Sequence, residues 1–134
     1  MKSVLVDSNV ILDIAGDDPE WGPWSREMLT SIGDTSVLVI NAIIYSEVSV
    51  GYDRIEDLEE ILPKEFFKRE DIPYAAAFLA GKCFVDYRRR GGARTSPLPD
   101  FFIGAHAAVA GYALLTRDVN RYRTYFNRLE LISP

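Results

Sequence analysis

Four short apolar runs punctuate this chain: SVLV at 3–6, SVLVI at 36–40, YALLT at 112–116 and LELIS at 129–133. Each is only long enough for a short strand, and the first three do not alternate apolar with polar residues as a half-wet strand would. Helical stretches separate them. A helix starts at Ser8 or Asn9, either of which can cap it, and WSREMLTSIG (24–33) forms a second, ending at Gly33. Asn41 caps a third through about Val50, and 54–62 is amphipathic, with Ile55, Leu58, Ile61 and Leu62 on one side. The segment EFFKR (65–69) reads as a further short strand. Residues 73–90 carry a stripe of Ala76, Leu79, Cys83 and Tyr87, and 100–111 form a last, nearly all-apolar helix. Strands apolar on both faces, alternating with helices, predict an α/β fold: a parallel sheet covered on both sides. No repeat, low-complexity tract or linker divides the chain, so residues 1–134 are expected to form a single domain.

No apolar run approaches the ~20 residues that a membrane helix needs. The N-terminus lacks the pattern of a secretion signal, because Asp7 interrupts its apolar stretch at once. Cys83 is the sole cysteine, which excludes an intrachain disulfide and fits a cytoplasmic location. The net charge of −5 is unevenly distributed. Residues 82–128 hold nine Lys or Arg against three acids, whereas the remainder holds six against seventeen. A polyanion responds to the local field rather than to the total. The segment from Lys82 to Arg94, with Arg88, Arg89, Arg90 and Arg94, is therefore a candidate for contacts with a polyanionic backbone, and Arg117 is another. The same residues also read as an ordinary solvated helix end followed by a flexible loop.

Four carboxylates stand where a ligand site would be expected. In open parallel sheets, ligands bind beyond the carboxyl ends of the strands. Asp7 directly follows the first strand, and Asp118 follows LLT by one residue. Asp100 opens the apolar helix after SPLP. Glu47 is the least ordinary of the four: Ile43, Ile44, Val50 and Gly51 are its helical neighbours, which places it on the apolar face. Each acid has a structural explanation of its own. Asp7 can cap a helix, Asp100 favours a helix dipole, Asp118 suits a turn, and Glu47 can reach a core edge and pair with an Arg. If they converge, two like charges at 4 Å repel by about 4 kcal/mol at an effective dielectric near 20. Four in one pocket then require a cation or shared protons. An all-oxygen set suits Mg²⁺ or Mn²⁺, and one His with one Cys provides no zinc ligand set.

In VDSNVILD (6–13), the isolated helical Glu of AIIYSEV (42–48), LPDFFIGAHAAVAGYALLTRD (98–118) and the tail RYRTYFNRLELISP (121–134), the sequence resembles the PIN-domain nucleases, and within them the VapC-type toxins. The block 98–134 is the most specific part, whereas 15–35 and 52–96 match only in general size and helical character. The resemblance implies a three-layer α/β/α sandwich with a central parallel sheet. It implies that Asp7, Glu47, Asp100 and Asp118 form the catalytic and metal-binding set, with Asn9 and Thr116 as supporting polar residues. It further implies a Mg²⁺-dependent endoribonuclease acting on RNA, a homodimer, and a cognate antitoxin as partner.

The reaction expected on this reading is attack of an activated water on an RNA phosphodiester. Tyr87 and Tyr122 are candidates for stacking on unpaired bases, and both equally suit a core or rim role. His106, the single histidine, lies in an Ala-rich helix and reads as packed rather than catalytic. Two alternatives remain at this level. One is a binding module that keeps the fold without catalysis. The other is a phosphatase with Asp7 as nucleophile, which would place a second acid where Asn9 stands.

Overall fold

The computed structural model describes residues 1–134. Five strands form one sheet in the order β3-β2-β1-β4-β5. They are β1 (Lys2–Val6), β2 (Ser36–Ile40), β3 (Phe67–Arg69), β4 (Ala113–Leu115) and β5 (Leu131–Ile132), and every pairing is parallel. The two inner strands β1 and β2 carry the core of the sheet, with Val4, Leu5 and Val6 and then Leu38, Val39 and Ile40 all buried. Seven helices connect the strands: α1 (Ser8–Ala15), α2 (Gly22–Thr35), α3 (Ala42–Ser49), α4 (Ile55–Ile61), α5 (Tyr74–Arg89), α6 (Pro99–Ala110) and α7 (Asn120–Tyr125).

Helix α1 packs on α2 and α3, and α3 packs on α4; α5 packs on α6, and α6 on α7. The chain moves outward from β1 to β2 to β3, then crosses back to β4 and continues to β5. Right-handed crossovers put α1–α4 on one face and α5–α7 on the other once that direction reverses. The result is the expected three-layer α/β/α arrangement. The reversal falls between β1 and β4, so a crevice opens at their carboxyl ends.

Several boundaries differ from those expected of the sequence. Helix α2 continues past Gly33 to Thr35. Gly33 is there for packing rather than capping, since a Cβ on it would lie 3.3 Å from Leu38 Cδ1. The third strand is trimmed to Phe67–Arg69. Helix α7 has no counterpart in the sequence reading, because NRYRTY is too short and too polar to show periodicity. What holds it is tertiary: Tyr122 and Phe126 enter the core. Gly104 on α6 makes room for this, as a Cβ there would come within 2.4 Å of the Phe126 ring. No helix is long and apolar enough to cross a membrane.

Candidate metal centre

Asp7 leaves β1 and becomes the N-cap of α1, its Oδ1 accepting the Ser8 N–H at 2.8 Å. The cap is therefore Asp7 itself rather than Ser8 or Asn9. Its Oδ2 accepts the Thr116 hydroxyl at 2.9 Å and the Tyr122 hydroxyl at 2.9 Å. Only 3% of the residue is exposed. Burial is the main reason that its carboxyl rises from an ordinary 3.8 to about 6. The Tyr122 and Thr116 bonds oppose the rise, and the charge on Asp100 adds to it.

Tyr122 connects two acids. Its hydroxyl lies 2.9 Å from Asp7 and 3.5 Å from Asp100 Oδ1, and burial with three surrounding carboxylates keeps it a protonated donor. Asp100 occupies the first turn of α6. Burial raises its carboxyl, the Arg121 guanidinium opposes that, and Asp118 adds to it. Arg121 Nη1 stands 3.6 Å from Asp100 Oδ2. Glu47 sits half-buried on α3, with Oε1 accepting the Ser8 hydroxyl at 2.9 Å. Its proton affinity is raised by burial and by Asp100. Asp118 is exposed just past β4, its N–H donating to Thr116 Oγ1 at 3.1 Å, and it shares a groove with Asp100. Asn9 donates from Nδ2 to Thr116 Oγ1 at 3.2 Å, and its Oδ1 accepts the Arg117 N–H at 3.3 Å.

The four acids thus meet at one crevice, each delivered by a different element: the end of β1, α3, the start of α6 and the loop after β4. No three of them close into a tight cage. Mg²⁺ keeps several waters and takes only one or two carboxylates directly, so it does not require such a cage. The donor chemistry fits as well: all four are oxygen ligands, and burial with mutual repulsion raises the proton affinity of Asp7, Glu47 and Asp100. A hard cation relieves the same strain that a proton would.

The basic residues divide differently from the sequence expectation. Arg117 is committed to the buried Asp13 through Nε at 2.8 Å and Nη2 at 3.0 Å, and it lies over the Trp21 ring. Arg88 staples its own loop, donating to the carbonyls of Gly92 and Arg94. Arg90 pairs with Asp86 and covers the Tyr125 ring. Arg89 and Arg94 remain exposed at the loop. Tyr122 is buried and cannot stack on a base, whereas Tyr87 is partly exposed beside the acids. Arg121 and Ser8 are contacts of the acids that the sequence reading missed, and Tyr122, read there as a base-stacking or core aromatic, bonds Asp7 instead. The tail RYRTYF held Arg121 and Tyr122, but without helix α7 nothing directed them to the acids.

His106 is 1% exposed. Its Nδ1 lies 3.0 Å from Asn41 Nδ2, so it accepts there and Nε2 carries the hydrogen toward Glu70, 3.6 Å away. Burial holds it below its ordinary value, and it remains a neutral packing element of α6.

A pH dependence follows from Asp7. The folded state holds its proton more tightly than the unfolded chain, so its contribution to stability is lost as pH rises from about 4 through about 6. Between pH 4 and pH 7 in EDTA, wild type is expected to lose roughly 2–3 kcal/mol relative to Asp7→Asn. Urea midpoints at the two pH values measure this, and a constant gap between the proteins would refute it.

An α/β protein with an acid-lined crevice at the reversal of its strand order is the class that fold and site define. Residues 4–127 match the family model of the PIN domain, and the chain belongs to that family. No curated relative matches the sequence. Among solved structures, the chain is similar to VapBC2 from Rickettsia felis bound to a promoter DNA fragment, with TM-score 0.75 and 16% identity over 98% of each chain. It is similar to VapBC-1 from nontypeable Haemophilus influenzae, with TM-score 0.73 and 18% identity over 98% of this chain and 97% of that one. It is also similar to FitAcB from Neisseria gonorrhoeae, with TM-score 0.68 and 18% identity over 96% of each. At these identities the likeness is one of fold.

Proposed function

We propose that the protein is a Mg²⁺- or Mn²⁺-dependent endoribonuclease and the toxin component of a type II toxin–antitoxin pair. The observation that carries the catalytic part is the convergence of Asp7, Glu47, Asp100 and Asp118 at the switch point, with raised proton affinity on the first three. Membership of the PIN family supports nuclease chemistry. The toxin role rests on the fold shared with VapBC and FitAB complexes, which also supports an antitoxin partner. A homodimer and a cytoplasmic location belong to the same reading.

Asp7 and Asp100 would hold the ion, with Glu47 and Asp118 binding it directly or through water. When bound, it supplies charge neutralisation and Lewis-acid activation of water and phosphate. Thr116 and Tyr122 fix the rotamer of Asp7, and Ser8 fixes that of Glu47. Glu47 is half-buried and accepts a single side-chain bond, from the Ser8 hydroxyl, so it is the acid suited to take the proton that an attacking water gives up. The single histidine, His106, is enclosed, so the histidine pair that commonly serves a 2′-hydroxyl nucleophile is lacking, and water is the nucleophile on this reading.

Single-stranded RNA is expected to be cut in Mg²⁺ and left intact in EDTA. An RNA oligomer with a 2′-deoxy residue at the scissile position should still be cut. Gel analysis of the two substrates tests this, and complete loss on the deoxy substrate would overturn the water-attack mechanism. The phosphatase alternative lacks its second acid, because Asn9 is spent on Asp7, Thr116 and the Arg117 backbone.

A further inference from the structure

A groove of about 460 Å³ runs from the acids toward α5 and α7. Its size falls within the range of small-ligand sites. Asp100 and Asp118 wall one part of it, and Tyr87, Arg121 and Tyr125 another. We propose that this groove is a single-nucleotide subsite, in which Arg121 contacts the RNA phosphate next to the scissile one and the Tyr87 side receives its unpaired base. The proposal rests on the ribonuclease reading and specifies what that site recognises.

Three observations support it. The first is charge. An acid-lined pocket repels a polyanion, and Arg121 is the only cation lining the groove. Its guanidinium stands 3.6 Å from Asp100, at ion-pair distance but too long for a strong hydrogen bond, and its side chain is 41% exposed. A cation held at Asp100 would replace the guanidinium as the neutralising charge and leave Arg121 for a phosphate.

The second is the surface that Arg121 presents. The guanidinium carbon lies 5.9 Å from the centroids of both Tyr87 and Phe101. Aryl and guanidinium faces accept the π face of any base, and only an unpaired base offers one. Base pairs within an RNA duplex have both faces covered.

The third is preorganisation. Tyr87 is held in place before any ligand arrives. Its hydroxyl accepts the Arg94 N–H at 3.2 Å, and its ring meets Phe84 and Phe101. Gly92 lies so close that a Cβ would come within 2.3 Å of the ring. Arg88 holds that loop by its carbonyls. The basic segment 86–94 therefore serves partly as the mount for an aromatic wall.

The test uses fluorescence anisotropy with a labelled single-stranded 12-mer RNA and the matching duplex. The buffer contains Ca²⁺, a hard cation that takes the same oxygen donors. Arg121→Ala is expected to weaken single-strand binding by about tenfold and to reduce the salt slope by about 0.7. Arg121→Lys should keep the slope and still bind several-fold more weakly, because it retains the charge and loses the plane. Tyr87→Leu should weaken binding by about tenfold at unchanged slope. Duplex binding should not change, nor should Arg26→Ala on α2 have any effect. If Tyr87→Leu does not fold, the two Arg121 variants decide. Wild-type affinity in folded Arg121 variants, or an equal loss on duplex, would overturn the subsite. If the variants show these binding effects but the wild-type protein cuts no RNA in Mg²⁺, the nuclease reading ends instead.

Discussion

Asp100→Asn is expected to lower Mg²⁺-dependent RNA cleavage by at least about 100-fold while the protein stays folded. The loss follows from the position of Asp100. It is the acid through which the others are coupled, raising the proton affinity of both Asp7 and Glu47 and itself raised by Asp118. Removing its charge weakens any cation site at its centre. The fold should tolerate the change, because the side chain is one-third exposed and makes only a 3.5 Å contact with Tyr122 and a 3.6 Å pair with Arg121. In EDTA the variant should match wild type or exceed it in urea midpoint, since a repulsion among carboxylates is relieved. Cleavage assays in Mg²⁺ and EDTA, with urea titrations alongside, check both parts. Full activity in Asp100→Asn would remove the carboxylate site from the mechanism. A folded wild type that binds RNA without cutting it, and a variant that binds equally well, would favour the binding module.

Arg117→Ala should be the most destabilising change among the surface cations, costing about 2–3 kcal/mol and lowering Tm by roughly 10 °C. Its fork engages both oxygens of Asp13, which is buried on α1 and also accepts the Ser25 hydroxyl from α2. Truncation leaves a buried carboxylate with one neutral donor. Removing one partner of a fully buried pair costs about 3–5 kcal/mol, and the 31% exposure of Arg117 lets water offset part of that. Arg117→Lys should fall between the two, since a point charge cannot satisfy both oxygens. Thermal melts measure the effect. A variant within about 0.5 kcal/mol of wild type would show that the pair is not structural and would return Arg117 to the set of RNA contacts. The pair also has a functional side. It fastens the loop carrying Thr116 and Asp118 to the first two helices, so cleavage should fall together with stability.

These two residues illustrate how differently the sequence can be read at different positions. Asp100 and Glu47 could be singled out locally, as a carboxylate opening an otherwise apolar helix and as a charge among Ile43, Ile44 and Val50, although a helix dipole and a core-edge ion pair account for each alone. Arg117 could not, because an exposed-looking cation between Thr116 and Asp118 carries no sign of a partner 104 positions away. Arg121, and the place of Tyr122 beside the acids, were hidden for a related reason. Six polar and aromatic residues have no period, and α7 exists only because Tyr122 and Phe126 find a core to enter.

The sequence by itself determined the class of fold and singled out four carboxylates as candidates for a site. Doubly apolar strands must be covered on both faces, and a buried or crowded carboxylate must find a cation or a proton. Those requirements act over a few residues and can be read from a few residues. The tertiary structure alone decided who assists the acids. Which hydroxyls fix Asp7 and Glu47, which guanidinium pairs with Asp13 and which stands at Asp100 depend on side chains from separate elements meeting at the β1–β4 crevice. Such meetings are set by packing of the whole chain, and no local pattern encodes them.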